Sequence, residues 1–96
     1  MKTFLHNFDK AFENKVRLGI MSALMANEYL DFKAVKELLQ ITDGNLASHL
    51  KSLEAKKYIT VHKEFLDRKP NTKYKATPQG RSAFEKHIKA LEDLLN

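Results

Sequence analysis

The stretch "ITDGNLASHLKSLEAKKYIT", residues 41–60, decides how the rest of the chain is read. Wound into a helix at about 100° per residue, Leu46, Leu50 and Leu53 fall within one narrow arc. Opposite them lie Asn45, Ser48 and Ser52, with His49, Lys51 and Lys56 at the edges. A helix flank that only meets water usually carries long Glu and Lys, which favour the helix and pair along it. Asn and Ser are poorer helix formers. Their presence on the flank points to a gain other than helix stability. Thr42 is placed to cap this helix, and Asp43 suits the positive end of its dipole. The predicted helix covers 42–57.

Downstream the period changes from helical to two. In "YITVHKEF" Ile59, Val61 and Phe65 share one side, with Thr60, His62 and Glu64 on the other. Lys63 interrupts the apolar side. "LDRKPN" reads as a turn, and "TKYKA" as a second strand with Tyr74 inward, giving a hairpin within 58–76. Lys63, Arg68, Lys69, Lys73 and Lys75 face only Glu64 and Asp67 there, and Arg68 and Lys69 sit at the tip beside Pro70. Thr77 then caps a last helix over 77–95 with Pro78 in its first position, and Phe84, Ile88, Leu91 and Leu95 form its stripe. Upstream, Phe12, Val16, Ile20 and Leu24 recur every four residues, widened by Met21 and Met25, and predict a helix from Asp9 to Ala26. Phe4, Leu5 and Phe8 make an apolar arm within residues 1–12. Asp31 is the expected cap of "FKAVKELLQ", with Phe32, Val35, Leu38 and Leu39 inward.

The order is helix, short extended piece, helix, turn, helix, hairpin, helix. The expected fold is mainly α with a small β-hairpin. It is a winged helix-turn-helix: a three-helix core, a wing and a C-terminal helix, in one domain over residues 1–96.

Charge and composition narrow the function classes. Lys and Arg number 17 against 12 Asp and Glu, a net +5 that favours an anionic partner such as nucleic acid. The 43% hydrophobic content is that of an ordinary globular protein. With no cysteine, disulfides, thiolate metal sites and cysteine nucleophiles are excluded. The longest nearly apolar run, "LGIMSALMA", falls far short of the ~20 residues of a membrane span. "MKTFLHNFDK" lacks the features of a secretory signal, so a cytoplasmic location is expected and no membrane partner. His6, His49, His62 and His87 are scattered without ligand spacing; no metal and no cofactor is expected, and all but His49 read as surface residues. No phosphate loop, nucleophile elbow or carboxylate pair appears, so an enzyme is not expected.

"DGNLASHLKSLEAKKYITVHKEFLDRKPNTKYKATPQGRSAFEKHIKAL" resembles the winged helix DNA-binding domains of small bacterial and archaeal transcriptional regulators, closest to the compact MarR-like group. The resemblance spans roughly residues 14–91. Its most specific parts are "DGNLASHLKSLE", "RKPNTKYKAT" and "TPQGRSAFE". It implies a recognition helix from Thr42 in the major groove, a wing on the adjacent backbone, and a homodimer built from terminal helices. One departure stands out: Lys57 occupies the place where relatives usually have Gly.

The functional expectation is a sequence-specific regulator of duplex DNA acting as a homodimer. Asn45, Ser48, His49 and Ser52 face bases; Thr42, Lys51, Lys56, Arg68, Lys69 and Lys73 meet phosphates, with Arg68 reaching for the minor groove. Phe4, Leu5, Phe8, Ile88, Leu91 and Leu95 are the expected dimer contacts, since the far end of the last helix overhangs a core this small. An unidentified effector would enter at the dimer cleft or through a partner. Partial protonation of His49 would weaken binding as pH rises through its pKa. The alternatives are a winged-helix module that docks proteins and, third, an RNA-binding domain.

Overall fold

The computed structural model describes residues 5–96. Two short polar side chains break the helix expected between Asp9 and Ala26. Asp9 caps a 3-10 turn, Lys10–Phe12, by accepting the Ala11 N–H; Asn14 caps a separate helix, α1 (Lys15–Met25), by accepting from Val16 and Arg17. Each carboxylate or amide oxygen satisfies donors at a helix start, so the chain restarts there although the apolar period runs straight through. Phe12, Ile20, Met21 and Leu24 still reach the core.

A two-residue strand, β1 (Leu30–Asp31), leads into α2 (Phe32–Leu39), whose cap is Asp31, accepting the Ala34 N–H at 2.8 Å. Val35 is fully buried, but Leu38, expected inward, is 61% exposed. Leu38 lies about 100° around the helix from Leu39, off the edge of the arc that Val35, Phe32 and Leu39 share. Helix α3 (Asp43–Ala55) starts at its Thr42 cap and buries Leu46, Leu50 and Leu53. At its end the Tyr58 N–H donates to the Leu53 carbonyl (3.0 Å) and the Lys57 N–H to that of Glu54 (2.9 Å). Those two bonds make a Schellman motif, which requires a left-handed residue after the cap. Lys57 takes that conformation, φ 65°, in the place where a glycine would be unstrained.

Strands β2 (Ile59–Leu66) and β3 (Lys69–Ala76) pair antiparallel from Ile59 opposite Ala76 to Leu66 opposite Lys69. β1 joins the other side of β3, giving the order β1-β3-β2. The connection is a two-residue turn, Asp67–Arg68, both with positive φ (51° and 67°). That is the turn whose twist matches a hairpin. The six-residue turn expected over "LDRKPN" is therefore much tighter, and Pro70 lies inside β3, opposite Phe65. The pair flanking such a turn exchanges its hydrogen bonds, so the next pair does not, and Pro70 loses nothing by lacking an N–H. Ile59 is buried and Val61 half-buried, but Phe65 on the same side is 76% exposed, against expectation. The hairpin outruns the helices: six residues of strand carry the chain roughly 20 Å past Ile59. The molecule measures 54 × 25 × 21 Å.

Thr77 caps α4 (Pro78–Leu95) by accepting the Gly80 N–H (2.9 Å), while its hydroxyl donates to the Lys57 carbonyl (2.7 Å). Gly80 lies so close to the corner after α3 that a Cβ would stand 2.1 Å from the Tyr58 carbonyl oxygen. Phe84, His87 and Ala90 form the buried line of α4, Ile88 and Leu91 are half-buried, and Leu95 is 86% exposed. His87, expected at the surface, is thus a core residue. Its Nδ1 accepts the Asp9 N–H (3.0 Å), and its ring meets Phe8 and Phe12 edge-on. The apolar neighbours and a satisfied nitrogen together make burial of the imidazole tolerable.

Candidate nucleic-acid interface

Three leucines under α3 fix which of its sides faces outward. Thr42, Asn45, Ser48, Lys51 and Lys56 are exposed, and Ser52 and His49 half-buried at the margins. No other part of the described chain covers the flank made by Asn45 and Ser48. The Thr42 hydroxyl oxygen accepts the Asn45 N–H (3.2 Å), which leaves its own O–H free to donate outward. Asp43, a carboxylate at the start of the same flank, is paired with Lys36 at 2.7 Å. That pair offsets the Asp43 charge, which would otherwise repel an anion at this end.

His49 is held by a residue that the sequence reading missed. The Arg17 guanidinium donates from Nε to the Ala11 carbonyl (2.7 Å) and from an Nη to His49 Nδ1 (3.1 Å). Arginine only donates, so Nδ1 must be the acceptor and the proton of neutral His49 sits on Nε2. Burial, and then the Arg17 charge, push the imidazole pKa below its ordinary value. His49 is accordingly a neutral hydrogen-bond donor at physiological pH rather than a partly charged one. The two residues stand 32 apart, on α1 and α3, and no local pattern links them.

The hairpin places its cations unequally. Arg68, in the turn, and Lys69, beside it, are exposed, and among the described residues neither they nor Lys51 and Lys56 have an ion-pair partner. Lys73 is engaged: its Nζ lies 3.0 Å from the Glu64 carboxylate and 4.3 Å from the centre of the Tyr29 ring. The Glu64 bond holds the Lys73 ammonium above its ordinary pKa, and the Lys73 bond holds Glu64 below the usual carboxylate range. Lys73 shares its side of the sheet with His62 and Glu64, the side turned away from α3.

At the chain ends Leu5, Leu94 and Leu95 are exposed and Phe8, Ile88 and Leu91 half-buried. Phe4 lies outside the described residues. Among the described residues no helix is long and apolar enough to cross a membrane.

Three helices, a three-stranded sheet and a protruding basic hairpin define the winged helix class. The family described as a winged helix DNA-binding domain matches residues 16–95, and the chain belongs to it. An uncharacterized protein of Methanocaldococcus jannaschii is 39% identical over 79 residues, 82% of this chain and 86% of that one. The transcriptional regulator homologue protein from Pyrococcus horikoshii superposes with a TM-score of 0.89 at 28% identity, covering 99% of this chain and 95% of the other. A MarR-family transcriptional regulator from Silicibacter pomeroyi shares the fold at TM-score 0.69 and 16% identity, over 97% of this chain and 64% of its own. The family is a non-enzymatic class, which accords with the lack of catalytic motifs.

Proposed function

We propose that the chain is a sequence-specific regulator of duplex DNA that works as a homodimer, with α3 in the major groove and the β2–β3 wing on the neighbouring backbone. One observation carries this reading: α3 is anchored by three buried leucines, and its short polar flank is left open beside a hairpin whose tip cations have no ion-pair partner among the described residues. Short side chains let a helix approach the groove floor, where base edges present hydrogen-bonding groups. Asn45, Ser48, Ser52 and the Nε2–H of His49 are the base-facing set. Thr42, Lys51, Lys56, Arg68 and Lys69 meet phosphates, and Arg68 enters the minor groove. Lys73 joins them only by leaving Glu64.

The exposed leucines at both chain ends support a two-fold dimer sealed by Leu5, Phe8, Ile88, Leu91 and Leu95. Two α3 helices about 34 Å apart would then read a pseudo-palindrome. Selection from a random duplex pool supplies the operator, and affinity for it is measured against salt. Lys69→Ala should lower the salt slope by about one, and Asn45→Ala should flatten the preference among sequences while leaving the slope in place. An unchanged slope in the Lys69 variant removes the wing from the interface. Light scattering that reports a monomer with no duplex affinity would favour a protein-docking module instead.

A further inference from the structure

The tip of the wing is not only basic. Phe65, Leu66 and Pro70 are all exposed there, as neighbours along the strand or across the pair. Isolated exposed hydrophobics need no explanation, but Phe65 and Pro70, paired on one face at the end of a basic hairpin, form an apolar spot that does. Phe65 shares its side of β2 with Ile59, Val61 and Lys63, the side turned toward α3. The groove between that side and α3 is lined by Lys51, Glu54, Val61 and Lys63, so Phe65 lies one step along the strand face beyond Lys63 at the groove's outer end. An uncharged ring with Lys63 on its own side of the strand and Arg68 in the turn ahead of it suits a partner with apolar atoms set between anionic rows.

The backbone of B-DNA is such a partner. Its minor groove is about 7.5 Å deep. Phe65 lies in the second residue pair behind the turn, roughly 7 Å from the tip. With Arg68 at the groove floor, the phenyl ring stands at the rim, where deoxyribose carbons rather than phosphate oxygens are exposed. We infer that the Phe65–Pro70 side of the wing is an apolar contact for the deoxyribose rim of the minor groove, and that it supplies a salt-independent part of the affinity. The inference rests on the DNA-binding reading above and adds a contact that charge alone does not supply. It also gives the wing a reason to prefer DNA, since a ribose would present a hydroxyl to the ring.

The test compares wild type, Phe65→Ala and Phe65→Leu on the selected duplex, by affinity across a salt series and by hydroxyl-radical cleavage, which reports access to minor-groove sugars. Phe65→Ala should bind about tenfold more weakly at every salt concentration with the slope unchanged, the weight of one partly buried ring. Sugars under the wing should lose protection in the same variant, and Phe65→Leu should retain most of both. Undiminished affinity in Phe65→Ala, or a slope lowered as in Lys69→Ala, overturns the contact while leaving the DNA-binding reading intact. A wild-type protein with no duplex affinity brings down that reading itself, and this one with it.

Discussion

Phe12 and Phe65 are the same side chain in two opposite settings. Phe12 is 2% exposed, packed edge-on against Phe84 and His87 and stacked on Tyr58. Around it the N-terminal segment is fastened to α4 by the Asp9–His87 bond and to the α3–β2 corner by Tyr58, whose hydroxyl donates to the Asp9 carboxylate at 2.5 Å. Phe65 stands 76% exposed near the tip of the hairpin. What separates them is distance from the three-helix core. The contrast teaches that hydrophobicity assigns a residue to burial somewhere, and the length of the supporting element decides whether that burial happens within the chain or against a partner.

The widest gap should appear when both rings are removed. Phe12→Ala is expected to lose about 3–5 kcal/mol of stability, by transfer and cavity terms together. Phe65→Ala should stay within about 0.5 kcal/mol of wild type, as exposed substitutions do. Urea unfolding of the two variants measures this, and equal losses would erase the distinction between the regions.

A smaller effect sharpens the buried side. Burial, and then the bond to Asp9, push the Tyr58 phenol up to about 12 from an ordinary 10. A raised pKa means that the neutral phenol stabilises the fold fully below pH 10, and that this contribution is lost as pH rises through about 12. Tyr58→Phe should cost about 1–2 kcal/mol at neutral pH, since Asp9 loses a donor. The variant should also show a flatter decline of stability than wild type across that alkaline window. A parallel decline in both proteins would mean that the bond does not survive in solution.

The smallest expected effect has the opposite sign. Lys57→Gly relieves a left-handed side chain at the end of α3 and should gain up to about 1 kcal/mol. A loss on thermal unfolding would show that the lysine side chain contributes something that the backbone angles do not reveal.

These residues also mark how far the sequence could be read. The α3 flank was legible because both its faces lie within thirteen residues and one period. The caps Thr42, Asp31 and Thr77 were legible for the same reason: each acts on a backbone N–H three residues on. The hairpin was legible in kind and not in extent, because alternation carries no mark of where the core stops. Hence Phe65 was expected inward and the turn too long. The break at Asn14 was hidden because the apolar spacing is continuous across it, and only the competition of its side chain for backbone donors restarts the helix. His87, Arg17 and the Lys73–Glu64 pair were out of reach, since each depends on a partner brought near only by folding. Arg17 matters most among them, because it fixes the tautomer that His49 presents.

The Asp9 junction has a practical corollary. One carboxylate residue ties the chain's beginning, its closing helix and the bend from which the hairpin springs. A fusion tag or a neighbouring subunit that tugs on either extremity therefore loads that bend directly. Probes attached at the ends are positioned to report, and to disturb, the angle at which the hairpin leaves the body.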